Sequence, residues 1–343
     1  MFSAIILLLL FLIASAIFSQ KKSSLDDRSF TTILRGIAIV LIMLSHLTRE
    51  HTRIFTPLGG IGVAIFLILS GYGLNESFKH NGLNGFWKKR FIRVYIPYLI
   101  VLVAICLFQK ESCTEFLMSL SLWHCPYWYV QYIFGCYVIF WLCSRFFSKY
   151  RIFVMLISGL VTLVCLRGVQ GEQAISFVSG VILSHRNVKL DGEMHVAWKC
   201  IVLFAIIGVL ALTFKQTTLY RTLPDGILIN IPQMIVKFGI AIAIICLLTK
   251  LSVCMKSRFL LMAGVISYEL YLVHVFFLFK IEADVFLTDN ISMLLKDIFL
   301  YHSKTMVFLI TAILIVVLSY LISQIFFYFN KQFSRILLKR CKI

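Results

Sequence analysis

Long apolar runs separated by short polar segments fill this chain, and lysine or arginine bounds most of them. A helix needs about 17–25 predominantly apolar residues to cross a bilayer. Runs of roughly that length fall at 2–19, 33–48, 58–75, 94–109, 128–147, 152–166, 172–185, 196–214, 231–250, 259–280 and 305–330. The pattern predicts an all-α integral membrane protein with about 11 transmembrane helices. The runs at 33–48, 152–166 and 172–185 are short for a full crossing.

Composition agrees with the pattern. Of 343 residues, 60% are hydrophobic and only 14% charged, against about 25% charged in soluble domains. The mean hydropathy is +0.94. The formal net charge of +18 raises the question of nucleic acid. Its placement answers no: the cations lie in loops between apolar runs, as topology signals do, and form no basic stripe interleaved with aromatics.

Loop cations also set orientation. With the N-terminus outside, the inner segments hold most of them: Lys21, Lys22 and Arg28, then Lys79 with Lys88 to Arg93, then Arg145 to Arg151, then Arg186 and Lys189, then Lys250 to Arg258, and the basic tail. The outer loops then hold few, and the C-terminus is cytoplasmic. Residues 2–19 also read as a cleaved signal peptide, since Ala14-Ser15-Ala16 is a small-residue patch. The basic stretch expected before such a segment is missing, and cleavage would invert the loop-charge bias.

Cysteine adds little. Cys106, Cys136, Cys143, Cys165, Cys200 and Cys246 lie inside apolar runs, and no CxxC pair or His/Cys cluster has zinc spacing, so no metal is expected. Cys113 and Cys125 share one loop and would pair only in an oxidising compartment.

Ionisable groups inside the apolar runs carry the chemistry. Arg35 and His46 close the two ends of one run, eleven residues apart. On a helix that is roughly 16 Å along the axis and within about 20° around it. One stripe therefore shows both groups, one deep on each side of the bilayer. An ionisable residue there is a functional candidate by default; a snorkelling arginine and a structural histidine are the plain alternative. Arg90 and Arg93 are three apart and project side by side on a helix. They read either as a positive-inside collar or as a pair of phosphate forks.

Four patterns taken together are more specific. Arg35 and His46 form an Arg-ten residues-His motif, and Arg90 and Arg93 an Arg-x-x-Arg motif. Phe66, Ser70, Gly71 and Tyr72 form Phe-x-x-x-Ser-Gly-Tyr, and Ser267, Tyr268, Tyr271, Leu272 and His274 form Ser-Tyr-x-x-Tyr-Leu-x-His. On these residues, in this order, the chain resembles the acyltransferase 3 family of bacterial integral-membrane O-acyltransferases. It resembles the stand-alone members, which lack a Ser-Gly-Asn-His hydrolase-like domain after the membrane core.

The resemblance implies a ten-helix acyltransferase core plus one extra N-terminal helix. The chain then divides into 1–32, the extra helix and a cytoplasmic linker; 33–330, the membrane acyltransferase domain; and 331–343, a basic cytoplasmic tail. It implies O-acylation, acetylation in the first instance, of a cell-surface or exported carbohydrate, with acetyl-CoA or another acyl-CoA as cytoplasmic co-substrate. The setting implied is the bacterial inner membrane. The acceptor class spans lipopolysaccharide, capsule, exopolysaccharide and peptidoglycan.

His46 is the candidate general base, since imidazole titrates near working pH. Arg90 and Arg93 are candidates for the coenzyme phosphates, with Arg35 beneath His46 serving the catalytic and donor sides. Ser70, Tyr72, Ser267, Tyr268, Glu269, Tyr271 and His274 form a supporting polar set. Trp128 and Tyr129 read either as interfacial anchors or as a stacking surface for the sugar. Gly59, Gly60, Gly62 and Gly71 are expected where helices approach closely. The competing class is a transporter or flippase of acyl groups or glycolipids, which predicts internal repeats and paired broken helices; the sequence shows neither.

Overall fold

The computed structural model describes residues 25, 27–47, 55–109, 113–122, 125–186, 194–249, 257–274 and 304–340. The predicted helix at 2–19 and the end of the run at 259–280 lie outside the described residues. Every described element is helical, with no strand among them. In chain order they are α1 (Arg28–Leu47), α2 (Thr56–Asn81), α3 (Phe86–Arg90), a π turn (Phe91–Tyr95), α4 (Ile96–Gln109), α5 (Cys113–Leu120) and α6 (Trp128–Phe146). There follow α7 (Arg151–Cys165), α8 (Ser176–His185), α9 (Met194–Phe214), α10 (Thr218–Arg221), α11 (Ile227–Leu248), α12 (Arg258–Val265), α13 (267–274) and α14 (Lys304–Arg340). Five stretches among the described residues are long and apolar enough to cross a membrane: Arg28–His46, Thr56–Asn81, Phe86–Leu107, Ser148–Cys165 and Ile227–Leu248. The protein is a multi-pass membrane protein.

The chain forms two units. The first comprises Met1–Asn84 and Tyr132–Val265, the second Gly85–Gln131 and Ile266–Ile343. One border falls within α6, between Gln131 and Tyr132.

In the first unit α2 is the central helix. Of its most apolar window 67% is buried, against 22% for Ser148–Cys165. Pro57 starts it, where a missing N–H costs nothing. Its small residues let neighbours close in. A Cβ on Gly71 would stand 2.1 Å from the Phe177 carbonyl oxygen of α8, and one on Gly180 would stand 1.9 Å from that of Ile68. Neither position admits a side chain, so the two backbones touch, as membrane helices do where van der Waals packing must replace the hydrophobic drive. Gly62 likewise faces the Ala38 carbonyl of α1.

The short predicted run at 172–185 resolves into a 3₁₀ turn, Gly171–Gln173, and α8 of ten residues. Ten residues span about 15 Å, half of a hydrocarbon core of about 30 Å. Irregular backbone at such depth is tolerated only when covered by protein, and Gly171, Glu172 and Gln173 are all buried. Asn230 of α11 closes the turn, donating from Nδ2 to the carbonyls of Leu163 at 3.1 Å and Leu166 at 2.8 Å.

In the second unit a proline explains the wide turn. Pro97 has no N–H, and its ring clashes with the carbonyl four residues earlier in a regular helix. The backbone widens just before it: the Ile96 N–H bonds the Phe91 carbonyl, five residues back. The π turn therefore carries Arg93.

Candidate functional site

The polar residues predicted from the sequence fall into both units. In the first, α1 and α2 lie antiparallel. Arg35 reaches the far half of α2, where a Cβ on Gly73 would stand 4.0 Å from its Nη2. Arg35 and His46 are both half-buried. Ser45, beside the histidine, donates from Oγ to the Thr56 carbonyl at 3.0 Å. That bond ties the end of α1 to the start of α2. A Cβ on Gly59 would stand 2.7 Å from Ser45 Oγ, so the glycine keeps this corner closed.

The next residue, Gly60, faces a group that the sequence motifs do not include. The Lys237 stem lies against it, with Cε 2.4 Å from where a Cβ would stand. Lys237 Nζ pairs with Glu172 Oε2, both side chains being about nine-tenths buried. Gln173 Nε2 donates to the Gly60 carbonyl at 2.8 Å and accepts from Ser176 Oγ at 3.0 Å on Oε1. The turn of α2 that packs on the histidine end of α1 is thus gripped from its other side by a buried ion pair. A signal for it exists in the chain: Lys237 sits in mid-run between apolar neighbours, where an ionisable residue calls for a named partner. A second cluster outside the motifs comprises Asn75, Arg151 and Ser184, all buried at the far end of α2.

The second unit gathers rings. Tyr271 lies 5.9 Å from Tyr127, 5.4 Å from Tyr129 and 5.8 Å from His274, ring centre to ring centre. Tyr98 stands 6.1 Å from Tyr127. Hydroxyls fasten the cluster to backbone: Tyr127 donates to the Leu272 carbonyl at 2.9 Å, Tyr268 to Val94 at 2.8 Å, and Tyr98 to Ser119 at 2.7 Å. Tyr129 is buried here, while Trp128 is half-buried. Ser267 and Glu269 are buried, and Asn330 Nδ2 donates to Glu269 Oε1 at 3.2 Å.

His274 is 1% exposed, and its Nδ1 lies 2.9 Å from the Leu270 carbonyl. A carbonyl can only accept, so Nδ1 carries the proton and Nε2 is the basic nitrogen of the neutral ring. Tyr98 and Tyr127 carry no motif in the sequence; tyrosines at helix edges look like interfacial anchors until their partners are known.

Cys125 is a free thiol, bonded to the Tyr127 carbonyl at 3.2 Å. Burial pushes this thiol's pKa up.

Arg90 is half-buried, with Cζ 5.3 Å from the Phe86 ring centre, whereas Arg93 on the π turn is exposed.

No curated protein and no solved structure matches the chain. Residues 28–328 match the family described as an acyltransferase domain, a stretch that takes in all four motifs and most of each unit. The chain belongs to the acyltransferase 3 family.

Proposed function

We propose that the protein moves an acyl group, acetyl in the first instance, from cytoplasmic acyl-CoA to a hydroxyl of a cell-surface or exported carbohydrate in the bacterial inner membrane. The observation that carries this reading is the Arg35–His46 helix within a chain of this family. In the proposed step His46 takes the proton of the acceptor hydroxyl. The oxygen attacks the thioester carbonyl, the carbon–sulfur bond breaks, and the leaving sulfur takes up the proton to give the free thiol of coenzyme A. An imidazole suits the exchange because its pKa lies near working pH.

Coenzyme A is a polyanion, and Arg90, Arg93 and Arg35 are the guanidinium forks assigned to its phosphates and donor arm. The aromatic and hydroxyl cluster of Tyr268, Tyr271 and His274 is assigned a supporting role, with Ser70, Tyr72, Ser267 and Glu269. Trp128 is assigned to the acceptor as a ring for stacking.

The test is thioester loss with thiol release from acetyl-CoA by purified protein given candidate glycans. Thiol release that needs both protein and glycan supports the reading. Glycan or lipid movement across vesicles without thiol release would favour the transporter class. Orientation is read separately on a cysteine-free background in intact cells: with the N-terminus outside, impermeant label should miss Asn84→Cys and reach Arg167→Cys.

A further inference from the structure

Arg151 is a buried cation with no acid against it among the described residues. It is 8% exposed and lies where α7 begins. Its Nη2 donates to Asn75 Oδ1 at 2.7 Å. Its Cζ lies 4.5 Å from the Phe78 ring centre and 5.5 Å from that of Phe140. Among the described residues the ion pairs are Lys79–Glu76 and Lys237–Glu172, so no described carboxylate neutralises it. Glu76 connects to it only through a relay. Asn75 Nδ2 donates to Ser184 Oγ at 2.7 Å, Ser184 Oγ donates to Glu76 Oε1 at 2.8 Å, and that oxygen also takes Lys79 Nζ.

A guanidinium has five N–H donors, and one edge of this one is spent on a neutral amide. The remaining nitrogens, Nε and Nη1, are not among the sealed polar atoms that lack partners. They make no bond among the described residues, and the residue keeps 8% of its surface exposed.

The surroundings are basic and aromatic. Arg145, Lys149 and Arg186 are exposed at this end of the unit, beside exposed Phe146, Phe147 and Tyr150. Lys149 Nζ lies 5.5 Å from the Tyr150 ring centre. Basic pockets between membrane helices take anionic headgroups. The guanidinium fork fits two phosphate oxygens, and the start of α7 adds the positive end of a helix dipole.

We propose that Arg151 is the floor of a phosphate site between α2, α6 and α7, occupied by the phosphodiester of an anionic phospholipid and rimmed by Arg145 and Lys149. The site is independent of the acyl-transfer reading. A nucleotide phosphate has the same chemistry, and the test separates the two sources.

Protein in nanodiscs of zwitterionic lipid is titrated with phosphatidylglycerol or cardiolipin, and separately with adenosine 3′,5′-bisphosphate. Melting temperature and lipid retention in native mass spectrometry are the readouts. The wild type should gain stability with anionic lipid and keep it bound. Arg151→Lys preserves the charge but loses the fork, and should weaken retention about tenfold, the worth of one charge-assisted hydrogen bond. The surface pair Arg145→Gln/Lys149→Gln leaves the buried network alone and should weaken retention at low salt, a deficit that shrinks as added salt screens the wild-type rim. A response to the bisphosphate alone, lost in Arg151→Lys, keeps the phosphate site and transfers it to a nucleotide. Equal responses in wild type and both variants, or none in the wild type, overturn it.

Discussion

The two histidine regions are built from different materials. Around His46 the first unit uses close backbone contact and charge: Gly59 admits Ser45, Gly60 admits the Lys237 stem, and the Glu172 pair holds that stem in place. Around His274 the second unit uses rings and hydroxyls bonded to carbonyls. Their exposure differs accordingly. His46 is half-buried, while His274 is 1% exposed with Nδ1 fixed on its own helix. A ring held so tightly acts on what is already packed around it. An imidazole that takes protons from a substrate must meet a molecule that arrives and leaves, and the half-buried position suits that task.

The largest effect should come from the charge beneath the first region. Lys237→Met leaves Glu172 buried without its partner, a loss of about 3–5 kcal/mol in stability. The double variant Glu172→Gln/Lys237→Met removes both charges and should recover most of it. Thermal unfolding of the two proteins in one detergent gives the comparison. If the single variant melts with the wild type, the pair does not hold the Gly60 turn.

The comparison of histidines is sharpened by turnover. His46→Ala and His46→Gln should each lose about 100-fold or more in transfer rate, the range for general-base catalysis, with melting temperature near that of the wild type. His274→Gln keeps a hydrogen-bonding side chain in the ring cluster and should cost less in rate than in stability. An active His46→Gln protein beside an inactive, folded His274→Gln protein would move the base to His274, whose Nε2 is the basic nitrogen.

A smaller effect separates the two arginines. Arg90→Ala and Arg93→Ala should each weaken acyl-CoA use by about 1.5–3 kcal/mol if each makes a charge-assisted bond to phosphate. Lysine should rescue poorly, since a point charge lacks the fork. Arg90 also covers the Phe86 ring, so its alanine variant should lose stability as well, whereas exposed Arg93 should change KM alone. Unchanged coenzyme affinity in both would return the pair to a topology collar.

The all-α class, the family and most helix positions are legible in apolar run length and in four short motifs, because membrane helices must satisfy their own backbone. The close approach at Gly59, Gly60, Gly62 and Gly71 is legible too, since small residues have few other uses in such runs. Pairing across distance is not. Glu172 and Lys237 are 65 residues apart, and no local pattern joins them. Arg151 reads as a loop cation because it stands at a run's edge, and only the folded chain shows it stacked on Phe78. The π turn that carries Arg93 comes from Pro97, an effect that residue spacing alone does not disclose.

The smallest effect tests the start of the His46 helix instead of its end. Asp27 caps α1: its Oδ1 accepts from the Ser29 backbone N–H at 2.8 Å and from the Ser29 hydroxyl at 2.5 Å. The hydroxyl bond, more than the backbone ones, holds the Asp27 carboxyl below its ordinary pKa. A carboxylate with a lowered pKa in the folded state contributes stability at pH values above its unfolded pKa, and that contribution fades as pH falls through the folded value. Asp27→Ala should therefore cost about 0.5–2 kcal/mol near neutral pH, as lost N-caps do. The gap between wild type and variant should close on acidification below the carboxylate range. The cap lies at the Arg35 end, so acyl transfer at neutral pH should change little while melting temperature drops. A difference in melting temperature that persists unchanged at low pH would mean that Asp27 acts through something other than its charge on this cap.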